Sequence, residues 1–365
     1  MLQIKTFTPA GGGSREWHAI ITPSSGLMTF EAQLAEVQAE VAALRERYPE
    51  SHPVMQRWFL SDPANQSPHI PGDAGCATSV VGQSPLSGTK IALWLWLSEG
   101  GETTRLDDNR FCYRHGRWKH IIEGGRHADA LTSFEATVKI LSDSESFLQS
   151  QQGSLLGNCV RTWFFVHDVD VNYRGVVEGR NMVFEWLGLS PSTRFIASTG
   201  IGGSHPRPEV NVQMDSYSLL PMLEGQMQQI NDPEYLNPTV EYGVAFERAT
   251  AIDYGDRRHL FISGTASIDN KGEVVHVGDI RRQTERMLTN IEALLRKGEC
   301  RFEDVMHLIV YLRDPADYEV VNAIFAERLP MIPRVIVIAP VCRPEWLVET
   351  ECMAVGRRDT SLPPF

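Results

Sequence analysis

Two glutamates near the C-terminus, Glu349 and Glu351, are the strongest candidates for chemistry in this chain. They lie in the segment WLVETEC, where strand alternation places Leu347, Glu349, Glu351 and Met353 on one face. A carboxyl with apolar neighbours is partly desolvated, which raises its pKa and suits it to donate a proton or to activate water. An ordinary solvated strand face explains the same pattern equally well.

Arginines in other predicted strands could supply matching cations. Arg334 begins the strand before WLVETEC, Arg161 lies in the segment RTW, and Arg248 lies in FERAT. A guanidinium binds a carboxylate through two parallel hydrogen bonds, so these residues favour an anionic small molecule as ligand. Salt bridges between structural units explain any one of them equally well.

Glycines inside predicted strands mark places where a ligand or another backbone approaches closely. Two segments have this pattern, SGTASI (263–268) and ASTGIGG (197–203). A β-bulge is the commoner explanation for each of them.

The elements that must position these residues belong to a unit that occurs three times. The run FLSD at 59–62 returns as FVHD at 165–168 and as YLRD at 311–314, each time closing an apolar strand that follows an amphipathic helix. From the helix start to the aspartate the spacing is 32, 34 and 34 residues. Internal repetition places the expected site between units rather than within one.

The third unit predicts the order strand, strand, helix, strand, helix, strand, strand. Asp279 can cap its first helix, and Gly298 can end it. The first unit keeps the first helix, from Phe30, but has a Pro- and Gly-rich segment at 61–90 in place of the second. The predicted strands of the third unit are 242–252, 259–268, 305–312, 334–341 and 346–355.

We therefore predict an α+β fold of three tandem units at 1–103, 104–238 and 239–365, the first of them degenerate. Helices on one face of each mixed sheet leave the other face to be covered. Three sheets packed around a common axis would cover it, which predicts a pseudo-threefold barrel with its helices outside.

Composition restricts the function. The chain of 365 residues has 42% apolar residues and a formal charge of −12, which disfavours a nucleic-acid partner. It contains no P-loop, GxGxxG, GxSxG, HExxH or CxxC motif, and histidines such as those in HGRWKH (115–120) lack convincing ligand spacing. No cofactor or metal is expected.

The expected location is the cytoplasm. The six cysteines show no paired spacing, and the N-terminal residues lack the basic start and apolar run of a signal peptide. No apolar stretch is long enough to span a bilayer, so no membrane partner is expected.

Several segments together resemble the Rid (YjgF-like) family over about residues 239–357. They are FISGTASI, IRRQTERMLTNIEALL, VYLRDPADYEVVNAIF, Pro333-Arg334 and LVETECMAV. The resemblance implies a chorismate-mutase-like fold and hydrolysis of amino-acid imines and enamines in clefts between the subunits of a trimer.

A wider set resembles the chorismatase branch over about residues 155–355. It comprises VRTWFFV, ASTGIGG, YGVAFERAT, VHVGD and LVETE. This resemblance implies a single-chain enzyme on the same fold that splits chorismate into pyruvate and a cyclohexadiene or benzoate product. The chain departs from the pattern in VETE, where VEIE is usual, and in Phe164-Phe165 after RTW.

The resemblance also implies residue roles. The general acid falls on Glu349, whose counterpart in Rid enzymes holds the attacking water, and Arg334 matches the arginine that receives the substrate carboxylate. Arg161 and Arg248 lie in segments that resemble chorismatase pocket walls. Glu351 is a second catalytic candidate, and the remaining expected substrate contacts are Tyr242, Gly264, Thr265, Ala266 and Cys342.

Three functions follow as hypotheses. The favoured one is cleavage of chorismate or a similar carboxylated enol ether, a hydrolase or lyase reaction of secondary metabolism. The second is a Rid-type imine or enamine hydrolase in a biosynthetic pathway, and the third is a non-catalytic module that binds a small molecule. Each implies an anionic small-molecule partner, and both a monomeric pseudo-trimer and a homo-oligomer remain open.

Overall fold

Three β-sheets, each formed by one stretch of the chain, make up the framework. The computed structural model describes residues 1–365 apart from the side chain of Tyr242. The strands of the first sheet are β1 (Leu2–Phe7), β2 (Glu16–Ile21), β3 (Ser51–Leu60), β4 (Ala77–Gly82) and β5 (Ile91–Glu99). Those of the second are β6 (Glu102–Asp107), β7 (Arg110–His115), β8 (Trp118–His127), β9 (Cys159–Val166), β10 (Ala197–Gly202) and β11 (Val212–Leu220). Those of the third are β12 (Met227–Ile230), β13 (Ala249–Asp253), β14 (Arg257–Ala266), β15 (Val305–Leu312), β16 (Arg334–Ile338) and β17 (Val348–Arg357).

Seven α-helices are present among the described residues, which confirms the mixed α+β class. They are α1 (Phe30–Arg47), α2 (Pro63–Gln66), α3 (Ser133–Ser150), α4 (Leu155–Asn158), α5 (Val169–Trp186), α6 (Ile280–Lys297) and α7 (Tyr318–Arg328). None of the helices in the described part of the chain is both long and apolar enough to cross a membrane.

Local signals position the long helices as predicted. The Asp279 side chain accepts a hydrogen bond from the backbone N–H of Arg282, and Gly298 is the C-cap of α6. The first unit has only the one-turn helix α2 where the other units have a long second helix. The strand expected at 242–252 begins only at Ala249: a 3-10 helix over Thr239–Tyr242 ends at Gly243, whose left-handed backbone is followed by an irregular segment up to residue 248.

The three sheets share one topology. Their common strand orders are β2-β5-β3-β4, β8-β11-β9-β10 and β14-β17-β15-β16, and in each the last pair is parallel. The extra strand β12 pairs with β13 of the third sheet, although it precedes residue 239.

The units are tied together cyclically through the edge strands β4, β10 and β16. The segment after β4 covers β16, since Ile338 N–H donates to the Ser84 carbonyl at 2.9 Å. The segment after β10 reaches β4, since Gly82 N–H donates to the Ser204 carbonyl at 2.7 Å. The segment after β16 covers β10, since Gly202 N–H donates to the Pro340 carbonyl at 2.9 Å. Each exposed edge is therefore protected by a neighbouring unit.

The inner faces of the three sheets share one apolar core. Trp96 of the first sheet packs edge-on against Tyr217 of the second, with ring centroids 5.8 Å apart. Tyr217 in turn contacts Phe261 of the third sheet at 5.3 Å. On the opposite faces, α1 packs against the first sheet, and α3 and α5 pack against the second, in two separate apolar clusters.

Candidate functional site

A cavity of about 220 Å³ lies between the second and third sheets. Helix α5 contributes Tyr173 and Arg180, and strand β10 contributes Ser198 and Gly200. The third sheet and its loops provide the rest of the lining: Val244, Phe246, Arg248, Gly264, Ala266, Ile268, Cys342, Arg343, Trp346 and Glu349. The site therefore lies between units.

Glu349 places its carboxyl in the wall of this cavity. Its strand β17 is central in the third sheet, where Glu349 is paired with Ala266 of β14 and with Tyr311 of β15. Burial, reinforced by the nearby charge of Glu351, raises the pKa of Glu349 to about 8, although Arg161 and Arg248 oppose the shift. At neutral pH this carboxyl is protonated and can donate a proton.

Gly264 provides the space that the Glu349 carboxyl occupies. A Cβ atom at position 264 would overlap Glu349 Oε1, and it would lie 3.1 Å from Thr199 Cγ2. The strand pairing also shifts register between Ile262 and Thr265. Close approach and a bulge, which were alternatives for this glycine, therefore occur together.

Three arginines line the cavity. Arg248 is almost fully buried and donates to the Asn237 carbonyl oxygen at 3.0 Å, which ties it to the segment before β13. Arg343 donates to the Gly272 carbonyl at 3.3 Å and lies over the ring of Trp346. Arg180 is buried in α5. This density of cations suits a substrate with more than one anionic group.

Tyr173 and Cys342 lie on the side of the cavity near Glu349. Burial raises the pKa of the Cys342 thiol to about 12, and the neighbouring Glu349 adds to this. Burial also raises the pKa of the Tyr173 hydroxyl, with Cys342 as the next cause. Both side chains are therefore neutral hydrogen-bonding groups rather than nucleophilic anions at neutral pH.

Glu351, predicted as a second catalytic carboxylate, is not brought to the cavity. Its Oε2 accepts a hydrogen bond from Arg161 Nη2 at 2.7 Å, and its Oε1 accepts one from Trp163 Nε1 at 2.9 Å. Arg57 Nη1 lies 3.4 Å from the same Oε1. With these partners Glu351 is a buried, paired charge behind Glu349, and Arg161 is its counter-ion and does not line the cavity.

Arg334, predicted as a carboxylate clamp, lies outside the cavity at the seam between the third and first units. Its backbone N–H donates to Gln3 Oε1 at 2.9 Å. Arg334 pairs with Leu308, six residues before Asp314, whereas Ser198 pairs with Thr162, six residues before Asp168. The cavity uses the second unit's copy of this strand, so Ser198 occupies the position that corresponds to Arg334.

Two further residues expected to contact substrate, Thr265 and Tyr242, are not found in the cavity wall as described. Thr265 is paired with Thr350 and bonds its hydroxyl to the Ser263 carbonyl, so it does not line the cavity. The side chain of Tyr242 lies outside the described residues. Of the predicted set, Glu349, Arg248, Gly264, Ala266 and Cys342 line the cavity.

Sequence reasoning missed Tyr173, Arg180 and Arg343 as cavity residues. Tyr173 and Arg180 are seven residues apart on α5 and so share a helix face with Val176 and Val183. An arginine within that apolar stripe was a usable signal. Nothing in the segment around Arg343 would have distinguished it from other surface arginines.

No metal centre is found among the described side chains. No group of three or more His, Cys, Asp or Glu residues in that part of the chain is arranged to hold an ion. The cavity instead offers one neutral carboxylic acid, three guanidinium groups and the neutral hydrogen-bonding side chains of Tyr173, Ser198 and Cys342. That set can bind an anion and protonate it.

Comparison with known proteins agrees with this arrangement. The family described as Endoribonuclease L-PSP matches residues 247–356. A chorismatase from Streptomyces hygroscopicus is 32% identical over 255 residues, which cover 63% of this chain and 69% of that protein. The 3-aminoacrylate deaminase RutC of Acinetobacter baylyi is 33% identical over 97 residues, covering 26% of this chain and 77% of that protein.

The fold has a counterpart among solved structures. A crystal structure of a chorismatase superimposes with a TM-score of 0.65 and 22% identity, covering 83% of this chain and 92% of that one. The repeated topology, the carboxyl at the seam and these similarities lead to one conclusion. The chain belongs to the Rid (YjgF-like) superfamily and is a relative of the chorismatases within it.

Proposed function

We propose that this protein cleaves chorismate or a similar carboxylated enol ether, with Glu349 as the general acid. The observation that carries the proposal is the buried Glu349 carboxyl, with a pKa of about 8, in a cavity that also contains three arginines. A dianionic substrate needs at least two cations when it leaves water. Arg180, Arg248 and Arg343 are the proposed anchors for its carboxylates.

The proposed reaction begins with proton transfer from the Glu349 carboxyl to the terminal methylene carbon of the enol ether. The neighbouring carbon becomes an oxocarbenium centre, which water attacks. The proton that this water loses returns to the Glu349 carboxylate. The resulting hemiketal breaks into pyruvate and the ring alcohol, so one water is consumed and the acid is regenerated.

Neutral hydrogen-bonding groups near Glu349 support this chemistry. Tyr173, Cys342 and Ser198 line the same cavity and can orient the substrate without adding negative charge. The similarity to a protein named chorismatase, at 32% identity, supports the choice of substrate class.

Incubation of the purified protein with chorismate, followed by an assay for pyruvate, tests the proposal. We expect one pyruvate for each chorismate consumed, and loss of this activity in Glu349→Gln. A matched control is Glu319→Gln, because Glu319 is an exposed residue of α7. Absence of pyruvate from a folded protein would contradict the proposed substrate.

A second candidate is an imine or enamine hydrolase in which Glu349 positions the attacking water. The similarity to the 3-aminoacrylate deaminase RutC favours it. One arginine suffices to bind the single carboxylate of such a substrate. Ammonia release from freshly generated 2-aminoacrylate, without pyruvate release from chorismate, would favour this function over the first.

We further propose that the units 1–103, 104–238 and 239–365 surround a pseudo-threefold axis. The cyclic covering of β4, β10 and β16 supports this arrangement. A monomeric pseudo-trimer has a mass of 40.9 kDa, which light scattering would distinguish from a homo-oligomer. A cytoplasmic location is part of the same proposal and fits the six unpaired cysteines.

A further inference from the structure

A buried network of charged side chains joins all three units behind the cavity. Arg57 of β3 is fully buried, and its Nη2 lies 2.8 Å from Asp215 Oδ2 of β11. Its Nη1 lies 3.4 Å from Glu351 Oε1 of β17. One guanidinium of the first unit therefore bridges a carboxylate of the second unit and a carboxylate of the third.

Hydrogen bonds continue from this network to the glycine beside Glu349. The Thr199 hydroxyl lies within hydrogen-bonding distance of Glu351 Oε2, and its oxygen accepts from the Gly264 N–H at 2.9 Å. Gly264 is the residue whose missing side chain leaves room for the Glu349 carboxyl. Every step from Arg57 to the cavity wall is thus a contact between buried or partly buried groups.

We propose that Arg57, supplied by the first unit, is a positioning residue for Glu349 and acts through Glu351 and Thr199. The inference rests on the proposed role of Glu349 as the acid. Arg57 does not line the cavity, so it acts without touching the substrate. The first unit then serves the site between the other two units, although it has Ala92 at its own position equivalent to Glu349.

The strand register supports the assignment of the acid to the third unit and of the positioning residue to the first. Tyr311 pairs with Glu349, and the equivalent positions of the repeated run, Phe165 and Phe59, pair with Gln213 and Ala92. The carboxyl that can serve as acid is therefore present in only one of the three equivalent positions. The buried arginine of the first unit has no catalytic carboxyl in its own sheet to support.

Several charged or titratable groups surround the two glutamates. Arg161 of β9 and Tyr311 of β15 face Glu351, whereas Arg248, Tyr173 of α5 and Cys342 face Glu349. Arg57 acts on Glu351, and the charges that act on Glu349 are those of Glu351, Arg161 and Arg248. The effect of removing the Arg57 charge on the pKa of Glu349 must therefore be transmitted through Glu351.

The decisive variant is Arg57→Met, which keeps an unbranched stem but removes the guanidinium group and its charge. The negative charge of Glu351 is then compensated by one cation fewer, which strengthens its repulsion of the Glu349 carboxylate. We expect the titration midpoint of the Glu349 carboxyl to rise by about one pH unit or more. Carbon-13 NMR of the substrate-free protein, assigned with Glu349→Gln, measures it directly.

Kinetics provide a second measurement. The limb at which kcat falls with rising pH should move by the same amount in Arg57→Met, while KM stays within about twofold because the substrate contacts are unchanged. Arg57→Lys keeps the charge and should keep the wild-type midpoint. In a Glu351→Gln background, Arg57→Met should produce no further shift, since the intermediary is already removed.

Removal of Arg57 also leaves Asp215 buried without its cation, which can prevent folding. The double variant Arg57→Met with Asp215→Asn removes the unpaired buried charge, and its Glu349 midpoint can be measured in the same way. An unchanged Glu349 midpoint in a folded Arg57→Met or double variant overturns the inference. Because the NMR titration needs no substrate, inactivity toward chorismate would count against the proposed function and leave this test intact.

Discussion

The backbone of Gly264 lies so close to the Glu349 carboxyl that even a methyl group could not be placed between them. The contact joins two neighbouring strands, β14 and β17, at the point where their pairing shifts register. The acid can reach the cavity wall only because the bulged residue has no side chain.

Gly264→Ala should therefore displace the Glu349 carboxyl and lower kcat by about 100-fold. Gly72→Ala is the matched control, because a Cβ at position 72 meets nothing within 4 Å. Measurement of kcat together with the melting temperature separates displacement from unfolding. Wild-type kcat in Gly264→Ala would show that the exact position of the acid is unimportant.

Glu349→Gln should lower turnover by about 100- to 10,000-fold, since an amide keeps the shape but cannot give up a proton in the same way. Binding of a non-reacting substrate analogue should persist, because the arginines are unchanged. Calorimetric titration checks the binding and a pyruvate assay checks the turnover. Retained turnover would remove Glu349 from the mechanism.

Activity should depend on pH through the raised pKa of Glu349. The acid is protonated below its pKa of about 8, so kcat should be constant below that pH and fall by about tenfold per unit above it. Glu349→Gln should abolish this limb in whatever activity remains. A pH profile of kcat from 5 to 10 provides the measurement, and a flat profile across that range would contradict an acid of this pKa.

The same carboxyl should make the folded state sensitive to pH. Between the ordinary value of 4.5 and about 8, the folded state binds a proton that the unfolded state has released, so rising pH favours unfolding. Relative to Glu349→Gln, the wild type should lose about 3 kcal/mol of unfolding free energy between pH 4.5 and pH 7. Urea unfolding of both proteins at pH 4.5 and pH 7 checks this. A stability difference between the two proteins that is the same at both pH values would contradict it.

Arg180→Gln should raise KM by about 10- to 100-fold, because a buried guanidinium that binds a substrate carboxylate is lost. Arg174→Gln is the matched control on the same helix, since Arg174 is exposed and its partner is Glu178. Steady-state kinetics with both variants checks this. An equal KM in the two variants would place the substrate carboxylates elsewhere.

Much of the fold could be predicted from local patterns. The limits of β15 agree with the predicted strand at 305–312, because a largely apolar run that leads to an aspartate is visible in the sequence itself. The start of α6 was equally visible, because Asp279 satisfies a backbone donor only three residues away.

The candidate site was harder to predict because three copies of one unit create three equivalent seams. Periodicity indicated Glu349 but could not show which neighbour faces it. Arg334 was expected beside the acid, yet the structure places Ser198 at the corresponding position of the unit that lines the cavity.

The sequence by itself determined the repeat, most helices and strands, and the carboxyl proposed to do the chemistry. Only the tertiary structure decided which seam holds the cavity, that Glu351 is paired with buried arginines, and that Arg57 bridges Asp215 and Glu351. Arg57 lies 294 residues from Glu351 along the chain. Spacing within a strand or helix carries no information about such a pairing, because it arises only when separate units pack and exclude water from between them.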